Sequence, residues 1–445
     1  MTAIATRVTA DRQPSLRRVA AVTLFDSSIQ WYCFLLYGTA AGTVFDTVFF
    51  SQVSDRTTAL ILSYLSFAIG YIAGPFGAIF FGNLGDKHGR KFTMYTSLLT
   101  MGVSTAVIGL LPSAAASGVW VVVVLQLMRL LQCFGRGGTW GGSILMAYEN
   151  VPENKRSLYA AIPQIGLPLG FGLSSLAIAL PAYLLDEHVF LSWGWRFPFL
   201  LAVVLTAIVV YAKDHMMETE DFKKAQERME QMDAAQAKES LGFIAMCKGY
   251  WRTLLLGCGT RWVDGTFYNI FIVWIMAYLH AYHNTPLLHT YIITIVACIF
   301  KIPFTFIGGH IAQRIGNAKT FMIGAVLSAL MSIPTLKLIE WSDGEIFLTT
   351  TVIVLGWSGA FTLVWASMGA LWSSYFEPEV RYSGISFVYH VPSFLVAGIV
   401  PSVCTYLVSV VDGDTILVGL FSTITAFISV LCAYVLAKRH AAGKR

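Results

Sequence analysis

Charge is what this sequence has least of. Only 12% of its 445 residues are Asp, Glu, Lys or Arg, against about 25% in a soluble globular chain, and 56% are hydrophobic. That balance excludes a soluble globular fold and points to an integral membrane protein. Metal-ligand spacing is missing too. The seven cysteines are scattered, four of them (Cys33, Cys133, Cys247, Cys298) in or near apolar runs, with no CxxC or Cys/His set. Neither a metal site nor a disulfide framework is expected. No nucleotide motif occurs, so an ATP-driven pump is excluded. The net charge of +5 is not gathered into one basic face, so nucleic-acid binding is excluded as well. No nucleophile–base pair stands out and the histidines in apolar runs are far apart, so the chain is read as no enzyme and as needing no cofactor. The short alternating segments of an outer-membrane barrel are absent.

Long apolar runs are what the sequence does have. Twelve approach or exceed the roughly 20 residues that a helix needs to cross hydrocarbon. They lie near 20–44, 59–81, 92–111, 119–148, 158–180, 191–211, 253–279, 290–311, 321–338, 346–373, 384–408 and 416–436. The stretch Gly82 to Lys91, GNLGDKHGRK, is a sharply basic hinge between two of them. Its charge argues for the cytoplasmic side. Alternation from there places the other basic loops and both termini inside, with Asp46, Asp55, Asp186, Glu187, Asp343, Asp412 and Asp414 outside. The expected fold is therefore an all-α integral membrane protein of twelve transmembrane helices in two six-helix bundles. Its parts are a cytoplasmic tail (1–19), an N-terminal bundle (20–212), a charged helical linker (213–249), a C-terminal bundle (250–436) and a basic cytoplasmic tail (437–445). The N-terminal stretch has no clear cleavage site after its apolar run and is read as a retained tail, not a signal peptide.

A weak repeat supports the division. Gly82–Asp86–Gly89 after the second span matches Gly309–Gln313–Gly316 after the eighth, and Pro152–Arg156 matches Pro378–Arg381. Two parallel six-helix halves are an expected transporter arrangement, with the binding site at mid-membrane between them.

Ionisable groups inside spans are costly unless paired or facing a cavity, so they are candidates for function. In the first span Asp26, Gln30, Cys33 and Tyr37 share a helical face, and in the fourth so do Gln126, Arg129, Cys133, Arg136 and Trp140. Two arginines two turns apart suit a carboxylate or another planar anion. Arg261, Asp264 and Tyr268 share a face in the seventh span. Lys301 and His310 lie in the eighth, Tyr389 and His390 in the eleventh. Gln164 lies in the fifth span, between Pro163 and Pro168, and Thr139 in the fourth. The expected substrate-binding set is Gln30, Tyr37, Arg129, Cys133, Arg136, Thr139, Gln164, Tyr268, Tyr389 and His390. The expected coupling set is Asp26, Arg261, Asp264 and Lys301. Structural readings stay open beside these: helix-pairing arginines, an interfacial Arg261–Asp264 pair, a snorkelling Lys301.

Five segments then carry a family likeness: QWYCFLLYG (Gln30–Gly38), the Gly82–Lys91 hinge, RLLQCFGRGGTWGG (Arg129–Gly142), FLSWGWRFPF (Phe190–Phe199) and FEPEVRYSG (Phe376–Gly384). Together they make the chain resemble the major facilitator superfamily, and within it the metabolite:proton symporters, whose members include shikimate, 2-oxoglutarate, citrate and proline/betaine carriers. The resemblance implies alternating access, with a gate in which Asp86 meets the inner end of the eleventh helix and Arg90 pairs with Glu149. Arg156, Glu379 and Arg381 join that gate. It also marks departures. Gln30, Cys33 and Thr139 stand where the family usually has acids, Gly74 where an Arg is common, and Arg136 where a small apolar residue is usual. The reading is a secondary active transporter of a small organic anion, by proton symport and as a monomer, in a bacterial inner membrane. Its partners are a small-molecule substrate, protons and the lipid bilayer. A facilitator, antiporter or exporter of a related metabolite or zwitterion is the alternative, and a non-transporting membrane sensor is the alternative of another class.

Overall fold

A computed structural model describes residues 15–54, 56–214, 220–231 and 243–443 of the chain. Parts of the tails (1–14 and 444–445) and of the linker (215–219 and 232–242) lie outside the described residues, as does Asp55. Among the described residues there is helix and no strand. In lipid that outcome follows from the backbone, because only a helix satisfies every N–H and C=O within one segment.

Twelve helices among the described residues are long and apolar enough to span a membrane. The first half comprises α1 (Leu16–Thr43), α2 (Ile61–His88), α3 (Arg90–Leu110), α4 (Trp120–Glu149), α5 (Glu153–Leu184) and α6 (Glu187–Tyr211). The second comprises α7 (Met246–His283), α8 (Ile292–Ile315), α9 (Asn317–Trp341), α10 (Ile346–Ser373), α11 (Arg381–Val410) and α12 (Ile416–Ala441). A charged linker helix, Glu220–Glu230, lies between the halves. Large apolar side chains such as Phe76, Leu110, Leu255 and Phe347 are exposed. Apolar exposure on that scale belongs in lipid.

The structure corrects several boundaries. The hinge is expected to be a loop after residue 81, yet the second helix continues to His88 and breaks only at Gly89. Gly89 has φ 97°, a region that favours glycine, and Gly316 at the matched position of the second half has φ 94°. The hinge is thus two helical turns and one sharp glycine corner. The seventh helix is already formed at Phe243, earlier than 253, with a kink at Tyr250. Near Pro163 the fifth span passes through a short 3-10 turn, Pro163–Ile165, because a proline nitrogen has no hydrogen to give to the helix ladder.

Glycine sets the closest helix contact in the first half. A β-carbon on Gly77 would lie 2.0 Å from the carbonyl oxygen of Phe134, and one on Gly137 would lie 2.4 Å from the nitrogen of Ala78. The α2 and α4 backbones therefore touch directly. The second half is less regular. Mid-span π-helical segments interrupt α7 (Asn269–Trp274), α10 (Val354–Ala360) and α11 (Phe394–Gly398). Such segments often mark functional sites.

Candidate transport site and gate

Contacts between the halves cluster from the face bearing the hinge up to mid-span. At that face Asp86 on α2 accepts the backbone N–H groups of Tyr382 (3.0 Å) and Ser383 (2.9 Å) at the start of α11. A carboxylate there meets unpaired donors and the positive end of the helix dipole. Arg90 holds Asp86 (3.7 Å) and Glu149 (3.4 Å) and donates to the Pro378 carbonyl. Arg381 crosses from the second half to Glu149 (2.8 Å). The hydroxyl of Tyr382 donates to the Gly138 carbonyl (2.7 Å).

The matched position in the second half does the same with a neutral side chain. Gln313 Oε1 on α8 accepts the backbone N–H groups of Ser157 (2.9 Å) and Leu158 (3.4 Å) near the start of α5. The internal repeat is thus a pair of crossed latches, one ionic and one not.

The linker helix joins the ionic side. Asp221 lies 3.2 Å from Arg156 of the first half and 3.0 Å from Arg381 of the second. Arg228 reaches Glu379 (3.5 Å). Sequence reasoning missed Asp221 as a member of this ionic cluster, since one acid in a charged linker gives no signal of its partners.

At mid-span a narrow cavity with room for little more than a water molecule lies between the halves. Its lining includes Trp31, Tyr71 and Arg136 from the first half and Arg261, Asp264, Tyr268, Trp365 and Tyr389 from the second. Arg261 pairs with Asp264 and lies 4.2 Å over the Tyr389 ring. Asp264 is 1% exposed, and apart from Arg261 its carboxylate has no hydrogen-bond donor among the described residues. Arg136 lies over the rings of Trp31 (4.8 Å) and Phe34 (4.1 Å). Its guanidinium has no hydrogen bond or ion pair among the described residues. The side chain one helical turn on, Thr139, donates its hydroxyl to the Arg136 carbonyl (3.1 Å), so no acid is offered from there. The cavity therefore carries one net positive charge and aromatic walls.

Beneath it Trp140 stacks on Tyr389 across the halves, 4.0 Å apart and 13° from parallel. Gln164 ties the halves together beside this stack. Its Oε1 accepts Trp140 Nε1–H (3.1 Å), its Nε2 donates to the Trp365 carbonyl (2.9 Å), and its own carbonyl accepts Trp365 Nε1–H (2.9 Å).

Several predicted residues lie off the cavity. Arg129 is fully buried, bonded to Gln132 and packed among Phe34, Tyr37 and Phe67. Gln30 donates to Asp26 (2.8 Å) and Ser143 (2.7 Å), joining α1 to α4. Tyr37 donates to Ser66 (2.9 Å). Cys33 and Cys133 are buried in the apolar core. His390 is buried near the cavity without lining it, and its Nε2 has no hydrogen-bond partner among the described residues. Lys301 is buried behind Trp365, with Nζ 4.1 Å from Trp357, 4.5 Å from Phe361 and 3.4 Å from Thr362 Oγ1. Tyr268 and Tyr389 belong to the expected set, whereas Trp31, Tyr71 and Trp365 were not in it, and tryptophans in spans usually pack or mark the membrane interface. Among the described residues no cluster of His, Cys, Asp and Glu could hold a metal ion.

Two helical halves meeting around a charged mid-span cavity are the arrangement expected of a transporter. The profile of the Major Facilitator Superfamily matches residues 20–299, and that of "Sugar (and other) transporter" matches 207–440. The chain is 34% identical to the inner membrane metabolite transport protein YhjE of Escherichia coli K12, covering 88% of each chain. It is 28% identical to the shikimate transporter of the same strain, over 94% of this chain and 93% of that one. The proton:xylose symporter XylE shares the fold, with a TM-score of 0.71 at 16% identity over 95% of each chain. The chain belongs to the major facilitator superfamily and is a multi-pass membrane transporter of metabolites, not an enzyme.

Proposed function

We propose that the chain moves a small organic anion, a carboxylate first of all, by alternating access in symport with protons. The observation that carries this reading is Arg136, a guanidinium facing the cavity with no counter-ion among the described residues. A planar fork of donors over aromatic rings suits a carboxylate attached to a compact, ring-like body. The similarity to a shikimate transporter supports the same class. The working unit is the monomer, since one chain supplies both walls of the cavity. The Lys- and Arg-rich hinge face is cytoplasmic, with both termini, in a bacterial inner membrane. In that orientation the latched hinge face makes this an inward-closed stage of the cycle.

Uptake by proteoliposomes, screened over carboxylates and zwitterions, tests the reading. Arg136→Ala should abolish saturable uptake of the true substrate at preserved expression, and unchanged uptake refutes the assignment. Accumulation should follow an imposed proton gradient. Uptake indifferent to that gradient at every pH identifies a facilitator or another coupling ion.

A further inference from the structure

A second cavity, of about 450 Å³, lies at the hinge face, and every residue lining it belongs to the second half. Its walls are the start of α7 (Tyr250, Thr253), the loop 374–378, Arg381 at the head of α11 and the end of α12 (Leu436, Arg439, His440). That volume is in the range of small-molecule pockets. Tyr250, Thr253 and Leu436 are buried, whereas His440 is exposed. The lining holds two arginines and one acid, the exposed Glu377.

Arg381 ties this cavity to the gate. Its Nε donates to the Phe376 carbonyl (3.1 Å), and its Nη1 donates to Glu149 (2.8 Å) and Asp221 (3.0 Å). Its Nη2 makes no hydrogen bond among the described residues, although Arg381 is only 7% exposed. A buried guanidinium with donors to spare, in the wall of a cavity, is a place where an anion can bind. The surroundings select the anion. Trp251 and Arg252, next to Tyr250 on α7, are both exposed, as is Lys438 beside Arg439 on α12. An exposed tryptophan among basic residues at a span's end marks the headgroup level, where phosphate groups are the abundant anions. Phosphate oxygens accept paired N–H groups from arginine, and basic pockets between helices at this level suit anionic headgroups.

We infer that the cavity binds an anionic phosphate group, with Arg381 and Arg439 as its cations, and that the bound phosphate favours opening of the hinge face. In the closed face Arg381 already has Glu149 from the first half and Asp221 from the linker. Opening takes Glu149 away and leaves a buried arginine short of a counter-ion, which is costly. The phosphate stays with the second half, because the whole lining does, and supplies the missing charge. It therefore binds the open form more tightly, and by linkage it shifts the population toward that form. A lipid headgroup and a soluble phosphate present the same oxygens. Neither depends on what the mid-span cavity carries.

Calorimetric titration of the purified full-length protein tests the site with three probes: dihexanoyl phosphatidylglycerol, inorganic phosphate and, as a net-neutral control, dihexanoyl phosphatidylcholine. The first should bind saturably and the last should not. Arg439→Gln should weaken that binding about tenfold, and His440→Glu, at the exposed rim, should do the same if Arg439→Gln does not fold. Lys438→Gln makes the same charge change outside the lining and should alter binding by less than about twofold. Inorganic phosphate that binds with the same dependence on Arg439 makes the ligand a soluble phosphate. Binding of phosphatidylglycerol alone makes it a lipid headgroup. Binding of neither overturns the site. Equal weakening by Arg439→Gln and Lys438→Gln also overturns it, since that is general attraction to a basic surface. Nitroxide labels on the exposed Lys87 and Lys319 of a cysteine-free variant read the gate. The bound probe should raise the longer-distance population about fivefold, and an unchanged population overturns the link through Arg381.

Discussion

Replacing Asp86 by Asn should open the gate at the hinge face, and by more than any change at its neutral counterpart Gln313. Asp86 is fully buried and gives one oxygen to each of the Tyr382 and Ser383 N–H groups. Hydrogen bonds to a charged group contribute about 1.5–3 kcal/mol each, and a charge at a helix N-terminus adds up to about 2 kcal/mol. Asn keeps one acceptor, loses the charge and turns an amide N–H₂ toward a backbone donor. The latch should weaken by about 2–4 kcal/mol, a shift of roughly 30- to 700-fold in the closed-to-open ratio. Gln313→Ala removes a neutral acceptor at 2.9 and 3.4 Å and should cost about 1 kcal/mol, or roughly fivefold. Nitroxide labels on Lys87 and Lys319, both exposed and one on each half, report the separation by pulsed electron resonance once the seven native cysteines are replaced. The expected result is a longer-distance population in Asp86→Asn that Gln313→Ala barely shows. Equal populations in the two variants refute the argument from charge, and an unchanged distance in Asp86→Asn refutes the latch itself.

Two further outcomes follow from the same geometry. Gln164→Leu removes the acceptor of Trp140 and the donor to Trp365 at a buried crossing. Each orphaned group costs about 1–3 kcal/mol, so the melting temperature of the detergent-solubilised protein should fall by several degrees, and an unchanged value refutes the clamp. In the loop before α12, a hydrogen bond from Lys337, helped by the Ile416 N–H, holds the Asp414 carboxyl below the usual carboxylate range. A carboxyl lowered in the folded state stabilises above about pH 4, and that contribution is lost as pH falls through its folded value. Asp414→Asn should therefore be slightly less stable than the wild type at neutral pH, with the gap closing in acid. A gap that widens on acidification contradicts the assigned direction. The effect is small because the pair is exposed.

The same hinge shows how far sequence reasoning reached. Its charge and spacing marked a boundary between spans, and the likeness of Gly89 to Gly316 reappears as matching positive φ angles. Whether it was loop or helix was not legible, because seven residues compatible with either state are decided by the N–H groups they meet on α11. Arg129 and Arg136 look equivalent on one helical face. Packing separates them: Phe34, Tyr37, Phe67 and Gln132 enclose the first, while the second reaches the cavity.

By itself the sequence determined the environment, the span count and the two-half plan. These rest on local quantities, apolar length and the placement of charge, which the bilayer reads segment by segment. Only the tertiary structure decided which polar groups meet. Asp86 lies 296 residues from Tyr382, and the cavity draws its lining from both halves. Those pairings come from side-chain packing between distant helices, and periodicity within one helix cannot state them.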